Sequence, residues 1–295
     1  MSGILNSVFA PGFFGSTPVH VALAVGSVAA VVSGVLGVFT VMRGQSYAGH
    51  AFADISVTGG SGSFLLGIDP IWGFAGTSVL AAGIMDMIGI QRPRGRDLAT
   101  GIVRGAALGL AALFLYWDTT HTSTTGATVT ILFGSMFAIT PSTVPVVLAL
   151  SLAALGIVAV LYRPLLLSSV SSELAFARGI PVRLAGAACL IAIAVAVSLS
   201  ALTIGAILST ALLVGPAATA LRLTSRPGRA LAWAVVIGLV TTWLGIVLAY
   251  DSFTWPPAGH AWPVSFFVVT LIFLGYLAAQ LISPGRRRDP ADGRG

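Results

Sequence analysis

The sequence predicts an all-α polytopic membrane protein of about nine transmembrane helices, its N-terminus outside and its C-terminus in the cytoplasm. Three observations carry that prediction. Only 8% of the 295 residues are charged, while 56% are hydrophobic; an ordinary soluble domain is roughly a quarter charged. The few charges leave long gaps, with none at 1–42, 119–162, 184–221, 230–250 or 252–285. A spanning helix needs about 20 mostly apolar residues, so each gap holds at least one. The apolar runs are also continuous and rich in Ala, Leu, Val and Gly, not alternating as in a barrel.

The spans follow in order. The first, 17–41, ends at Arg43. The second, 46–66, is short of charge but carries His50 and Asp54. The third, 71–90, stops before Arg92, and the fourth, 98–117, lies between Arg96 and Asp118. Residues 118–142 are less hydrophobic and suit a short or re-entrant helix better than a crossing. Spans follow at 145–162, 184–202, 204–221, 230–250 and 264–282, the pair around Leu202 being nearly fused. Cys189, the single cysteine, falls inside a span and reads as a small core residue. The N-terminus has no basic n-region, so it does not read as a cleaved signal.

All fifteen basic residues are Arg, net charge is +6 and the sequence pI is near 10.4. In a soluble chain that balance would point to nucleic acid. Their positions point to membrane lipid instead, with no nucleic-acid partner. With the N-terminus outside and nine crossings, Arg43, Arg92, Arg94, Arg96, Arg104, Arg163, Arg178, Arg183, Arg222, Arg226, Arg229, Arg286, Arg287, Arg288 and Arg294 all fall on one side. This is the positive-inside pattern. The outer loops carry Asp69, Asp118 and Asp251 and no basic residue. Residues 1–284 thus read as one membrane domain and 285–295 as a basic cytoplasmic tail expected to be disordered.

The longest inner loop is 163–183, and about 170–180 reads as a short amphipathic helix. Ser171 or Ser172 would cap it, and Gly179 with Pro181 would stop it. Glu173 within it is the only Glu of the chain. It is either a surface turn on the membrane or a docking helix for a cytosolic partner.

Ionisable residues inside spans are costly and mostly functional. His50 and Asp54 are four apart and share a helix face. An imidazole nitrogen with a carboxylate oxygen suits zinc or manganese, and iron is also open. The same pair suits a proton relay. The following Thr58-Gly59-Gly60-Ser61-Gly62-Ser63 run either loosens the helix or packs it closely on a neighbour. His20, Asp118, His121 and His260 fall at or near the outer face and are candidates for gathering an incoming cation. Asp86 reads as a helix-end residue. Gly215-Pro216, inside an apolar run, is a candidate hinge. A phosphate-binding glycine loop ending in Lys is ruled out, since the chain has no Lys. ATP hydrolysis by that route is therefore excluded; the sequence has no HExxH, and it suggests no Ser–His–Asp set, since the His residues are few and peripheral apart from His50.

The segment from Arg43 to Gly59 (RGQSYAGHAFADISVTG) resembles the signature of the zinc/manganese-type metal ABC transporter permeases, roughly R-G-x-x-x-x-G-D-A-L-S-H-A-x-x-P-G. Arg43, Gly44, Gly49, Ala51 and Gly59 match it. The family's Asp is His50 here and its His is Asp54, so the two ligand types are swapped with their spacing kept. Thr58 stands where the family has Pro. Phe133–Thr140 is similar to F-G-N-x-L-A-V-S, Glu173–Val182 to the coupling helix E-L-A-R-A-x-G-x-P-V, and Ala211–Ala220 to A-L-L-I-I-P-A-A-T-A. The resemblance spans about residues 20–283.

It implies a permease subunit of an ATP-binding cassette importer in the plasma membrane, working as a homodimer. It implies transient metal contact at His50 and Asp54, with Zn2+ or Mn2+ as cargo and no permanently bound cofactor. It also implies a cytosolic ATPase docked at Glu173, Leu174, Ala175, Arg178 and Gly179, and an extracytoplasmic metal-binding protein at the outer face. The alternative reading of the residues is a proton-coupled secondary transporter of a small organic substrate.

Overall fold

A computed structural model describes residues 13–88, 96–122, 125–255 and 262–282. The tail at 285–295, His260, Arg92 and Arg94 lie outside these residues. Among the described residues the chain is helical and contains no strand. The α-helices are α1 (Thr17–Met42), α2 (Ser46–Leu66), α3 (Pro70–Ile88), α4 (Arg96–Trp117), α5 (Thr125–Phe133), α6 (Val144–Val170), α7 (Ser172–Ala177), α8 (Val182–Ile204), α9 (Ser209–Leu223), α10 (Pro227–Asp251) and α11 (Val264–Ile282).

Among the described residues, six segments are long and apolar enough to cross a membrane by length and composition alone: Thr17–Met42, Thr100–Thr120, Pro141–Ser169, Val182–Ile204, Pro227–Thr254 and Val264–Ile282. The protein is thus a multi-pass membrane protein. Leu66, Leu80, Met87, Val160, Leu281 and Ile282 are among its most exposed side chains. That surface would be untenable in water and is expected against lipid.

α1 and α8 form the centre and are the most buried of the six long apolar segments. They are almost uniformly apolar around their circumference, as a helix surrounded by other helices must be. The hydroxyls of Ser33 and Ser200 join them at 2.7 Å. α2 and α3 approach closely because both carry glycine at the contact. A Cβ on Gly59 would strike the Gly73 carbonyl, and a Cβ on Gly73 would strike that of Gly59. The glycine-serine run of α2 is therefore a packing surface. The helix continues unbroken to Leu66, with Ser61 Oγ donating to the Val57 carbonyl at 2.7 Å.

The less hydrophobic 118–142 stretch forms a π-helical turn (Asp118–Thr122), α5 and two single 3-10 turns. The nine residues of α5 rise about 14 Å, too little to cross. Its end packs on the break between α8 and α9. Gly134 and Gly205 meet there backbone to backbone, each with positive φ (76° and 86°). The Ala206 and Ile207 amides donate to the Ile131 and Leu132 carbonyls at 3.0 and 3.3 Å. These bonds satisfy backbone groups freed by the break, which apolar surroundings demand.

Two boundaries differ most from expectation. α6 runs on through Pro164 to Val170 instead of ending at Tyr162. Proline removes only its own i−4 bond, here to Val160, and the following turns are tied by the Ser168 and Ser169 hydroxyls to the Leu165 carbonyl. α9 begins at Ser209, not 204, because the intervening residues serve the contact with α5.

Candidate functional site

The polar centre lies on α2, α4 and α9. α2 presents His50 and Asp54 from successive turns, with His50 Nε2 3.9 Å from Asp54 Oδ2. The two side chains thus share a face of α2, as their spacing of four predicts. α4 adds a third member that sequence reasoning placed among the inner-face arginines: Arg104 Nε ion-pairs with Asp54 Oδ2. Arg104 Nη2 also donates to His50 Nε2 at 3.3 Å. A guanidinium has donors only, so Nε2 is the acceptor in this contact. The other ring nitrogen, Nδ1, faces Thr210 Oγ1 of α9 at 3.4 Å.

His50 also lines an open groove of about 580 Å³ between α2, α9 and α11, whose walls include Thr210, Gly215, Ile272, Phe273 and Tyr276. Of the pair, the imidazole is the member that borders this groove. Among the described residues no three His, Cys, Asp or Glu side chains come together. In this conformation the pair would need hydroxyl, carbonyl or water ligands to complete a cation's shell.

The candidate hinge lies inside α9, which runs unbroken from Ser209 to Leu223 with Pro216 in its interior. Thr219 Oγ1 donates to the Gly215 carbonyl at 2.8 Å. A Cβ on Gly215 would strike Ile272 of α11, so this glycine also sets the α9–α11 approach.

The docking segment forms α7 as expected. Ser171 Oγ accepts from the Leu174 amide at 3.2 Å, and Gly179 follows with φ 73°, a conformation open to glycine. Glu173, Leu174, Phe176, Arg178 and Gly179 are exposed, Phe176 to 77%. Ala175 is instead fully buried and belongs to the inner side of α7. Arg43 Nη1 donates to Ser168 Oγ at 2.8 Å, tying the α1–α2 turn to the end of α6.

The outer candidates fare differently. His20 is exposed in the first turn of α1. Asp118 is 2% exposed, so it packs inward and is not an open cation-gathering group; it sits where α4 widens into the π-helical turn. The backbone of His121 lies in that turn. A carboxylate not singled out by sequence, Asp69, instead lines a cavity of about 290 Å³ with Thr130, Ser135, Thr140 and Thr143. It accepts from Thr143 Oγ1 at 2.7 Å and from the Ile71 amide at 3.0 Å. The Asp69-Pro70 pair at a helix start was the available signal.

A helical membrane bundle with an ionisable cluster beside a groove defines a polytopic transport protein. Comparison with known proteins makes the class specific. The ABC 3 transport family matches residues 17–280, and the chain belongs to that family. The manganese transport system membrane protein MntC of Halalkalibacterium halodurans is 30% identical over 224 residues, covering 75% of each chain. The high-affinity zinc uptake system membrane protein ZnuB of Haemophilus influenzae is 25% identical over 244 residues, covering 80% of this chain and 90% of its own. The solved structure of PsaBC from Streptococcus pneumoniae in complex with Fab superposes with a TM-score of 0.79 at 25% identity, over 98% of both chains. The protein is thus a permease subunit of an ATP-binding cassette transporter, and ATP hydrolysis belongs to a separate subunit. The proton-coupled alternative gives way to this membership.

Proposed function

We propose that this permease carries manganese or zinc inward across the plasma membrane, with His50 and Asp54 contacting the ion as it passes. The observation that carries the reading is the meeting of an imidazole and a carboxylate on one face of α2, beside a groove. The names of the relatives support manganese or zinc as cargo; iron finds no support among them. The incomplete ligand set suits an ion that must leave again.

Nine crossings are the topology this reading adopts, with the N-terminus outside. It puts the α1–α2 turn, the α6–α8 connection and the α9–α10 turn on the cytoplasmic side, with Arg43, Arg178 and Arg226 in them and Arg163, Arg183, Arg222 and Arg229 in the adjoining helix ends. Trp72, Trp117, Trp255 and Trp262 then gather at the opposite interface, where tryptophan is favoured. A cytosolic ATPase docks on the exposed face of α7, an extracytoplasmic metal-binding protein delivers the ion, and two permeases pair as a homodimer. Gly215-Pro216 serves as the hinge of α9, and His20, His121 and His260 guide the ion toward the mouth.

The test is uptake of radioactive manganese and zinc into proteoliposomes holding the permease with its ATPase. ATP-dependent accumulation of either metal, indifferent to a proton gradient, is expected. Transport driven by the gradient without ATP would refute the assignment.

A further inference from the structure

We propose that Arg104 is a tethered stand-in for the transported cation, holding the empty site and yielding it when the metal arrives. The inference rests on reading His50 and Asp54 as the transport site. One guanidinium engages the two donor atoms a metal would need, Asp54 Oδ2 through Nε and His50 Nε2 through Nη2. The hydrogen bond spends the imidazole lone pair, since only a deprotonated nitrogen can ligate. The ion pair cancels the carboxylate charge. A divalent cation and this arrangement of Arg104 are therefore mutually exclusive.

Position favours the same role. Arg104 stands two turns into α4, where the following residues through Trp117 carry no other charge. An arginine at such depth is costly without a partner, and so is a bare carboxylate. Each relieves the other while the carrier is empty. Asp54 is 14% exposed and Arg104 30% exposed, so the arginine side chain is the more accessible of the two. Arrival of a divalent charge repels it, and departure of the ion lets it return. Its return competes with rebinding, so Arg104 lowers affinity at the release stage and blocks backflow.

The experiment uses the purified permease–ATPase complex in nanodiscs, titrated with Mn2+ alone while free Mn2+ is read by electron paramagnetic resonance. Removing the competing charge with Arg104→Gln should tighten Mn2+ binding about tenfold or more. Arg104→Lys, which keeps a positive charge, should stay within a few-fold of the parent. Unchanged or weaker binding in a folded Arg104→Gln complex overturns the proposal. A second measurement needs no variant. Phenylglyoxal labelling of Arg104 in the parent, read by mass spectrometry, should rise several-fold on adding Mn2+; labelling that stays the same or falls overturns the proposal. If Mn2+ binds parent and Arg104→Gln equally and His50→Ala abolishes both, Arg104 alone loses its role. If neither binds Mn2+ at His50 and Asp54, the transport-site reading falls and the proposal with it.

Discussion

Arg104 of α4 is ion-paired with Asp54 of α2, and the same guanidinium reaches His50 one turn away. The pair pins two neighbouring helices through charges that would each be costly alone in a membrane. Removing one partner strands the other. Asp54→Ala should therefore cost about 2–3 kcal/mol, below the 3–5 kcal/mol typical of fully buried pairs because both groups keep some exposure. A lowered thermal midpoint of the purified protein would register it. The neutral double variant Asp54→Asn with Arg104→Gln should recover most of the loss. A double variant no more stable than Asp54→Ala would contradict this account of the pairing.

Gly59 and Gly73 set the spacing of α2 and α3. Gly73→Ala should destabilise the protein by at least about 1–3 kcal/mol, since a methyl group meets backbone that cannot move aside. Gly76→Ala, one turn along the same helix, meets nothing within 4 Å and is the control. Folded yield and thermal midpoint should fall for the first and hold for the second.

On α7, Phe176 and Ala175 are adjacent, yet Phe176 is exposed and Ala175 buried. Phe176→Ala should weaken co-purification with the ATPase about tenfold or more, as loss of a well-packed aromatic anchor does, with little change in the permease's own stability. Glu173→Arg should act in the same direction. Ala175→Phe should instead destabilise the permease itself, because that side faces the bundle. Intact complexes for both surface variants would remove α7 from the docking surface.

At the outer end, Thr143→Val removes the hydroxyl that donates to Asp69 and leaves one carboxylate oxygen to solvent or to an ion. A stability loss of about 1 kcal/mol is expected, measured by thermal unfolding in detergent.

Charge spacing made most of the helices legible, because a span tolerates few charges and most of them, unlike Asp54 and Arg104, fall near its ends. The 17–41 and 264–282 segments agree with α1 and α11 to within a residue. The cap at Ser171 and stop at Gly179 were legible because both act within one turn of chain. Arg104 was not. Counting arginines by face assigned it to water, and nothing local reveals that α4 turns it onto Asp54, fifty residues earlier. Asp118 was misplaced for a related reason: a polar residue after an apolar run reads as a loop, yet here it packs inward. The glycine run of α2 admitted both loosening and close packing, and only its partner Gly73 decides between them.

The central claim is that His50 and Asp54 hold the metal during transport. Its most direct test is ATP-driven manganese and zinc uptake by His50→Ala and Asp54→Asn permeases, reconstituted with the ATPase at matched protein levels. The account predicts that uptake falls at least about tenfold in each while the ATPase stays bound. Uptake at the parental rate in either variant would contradict it.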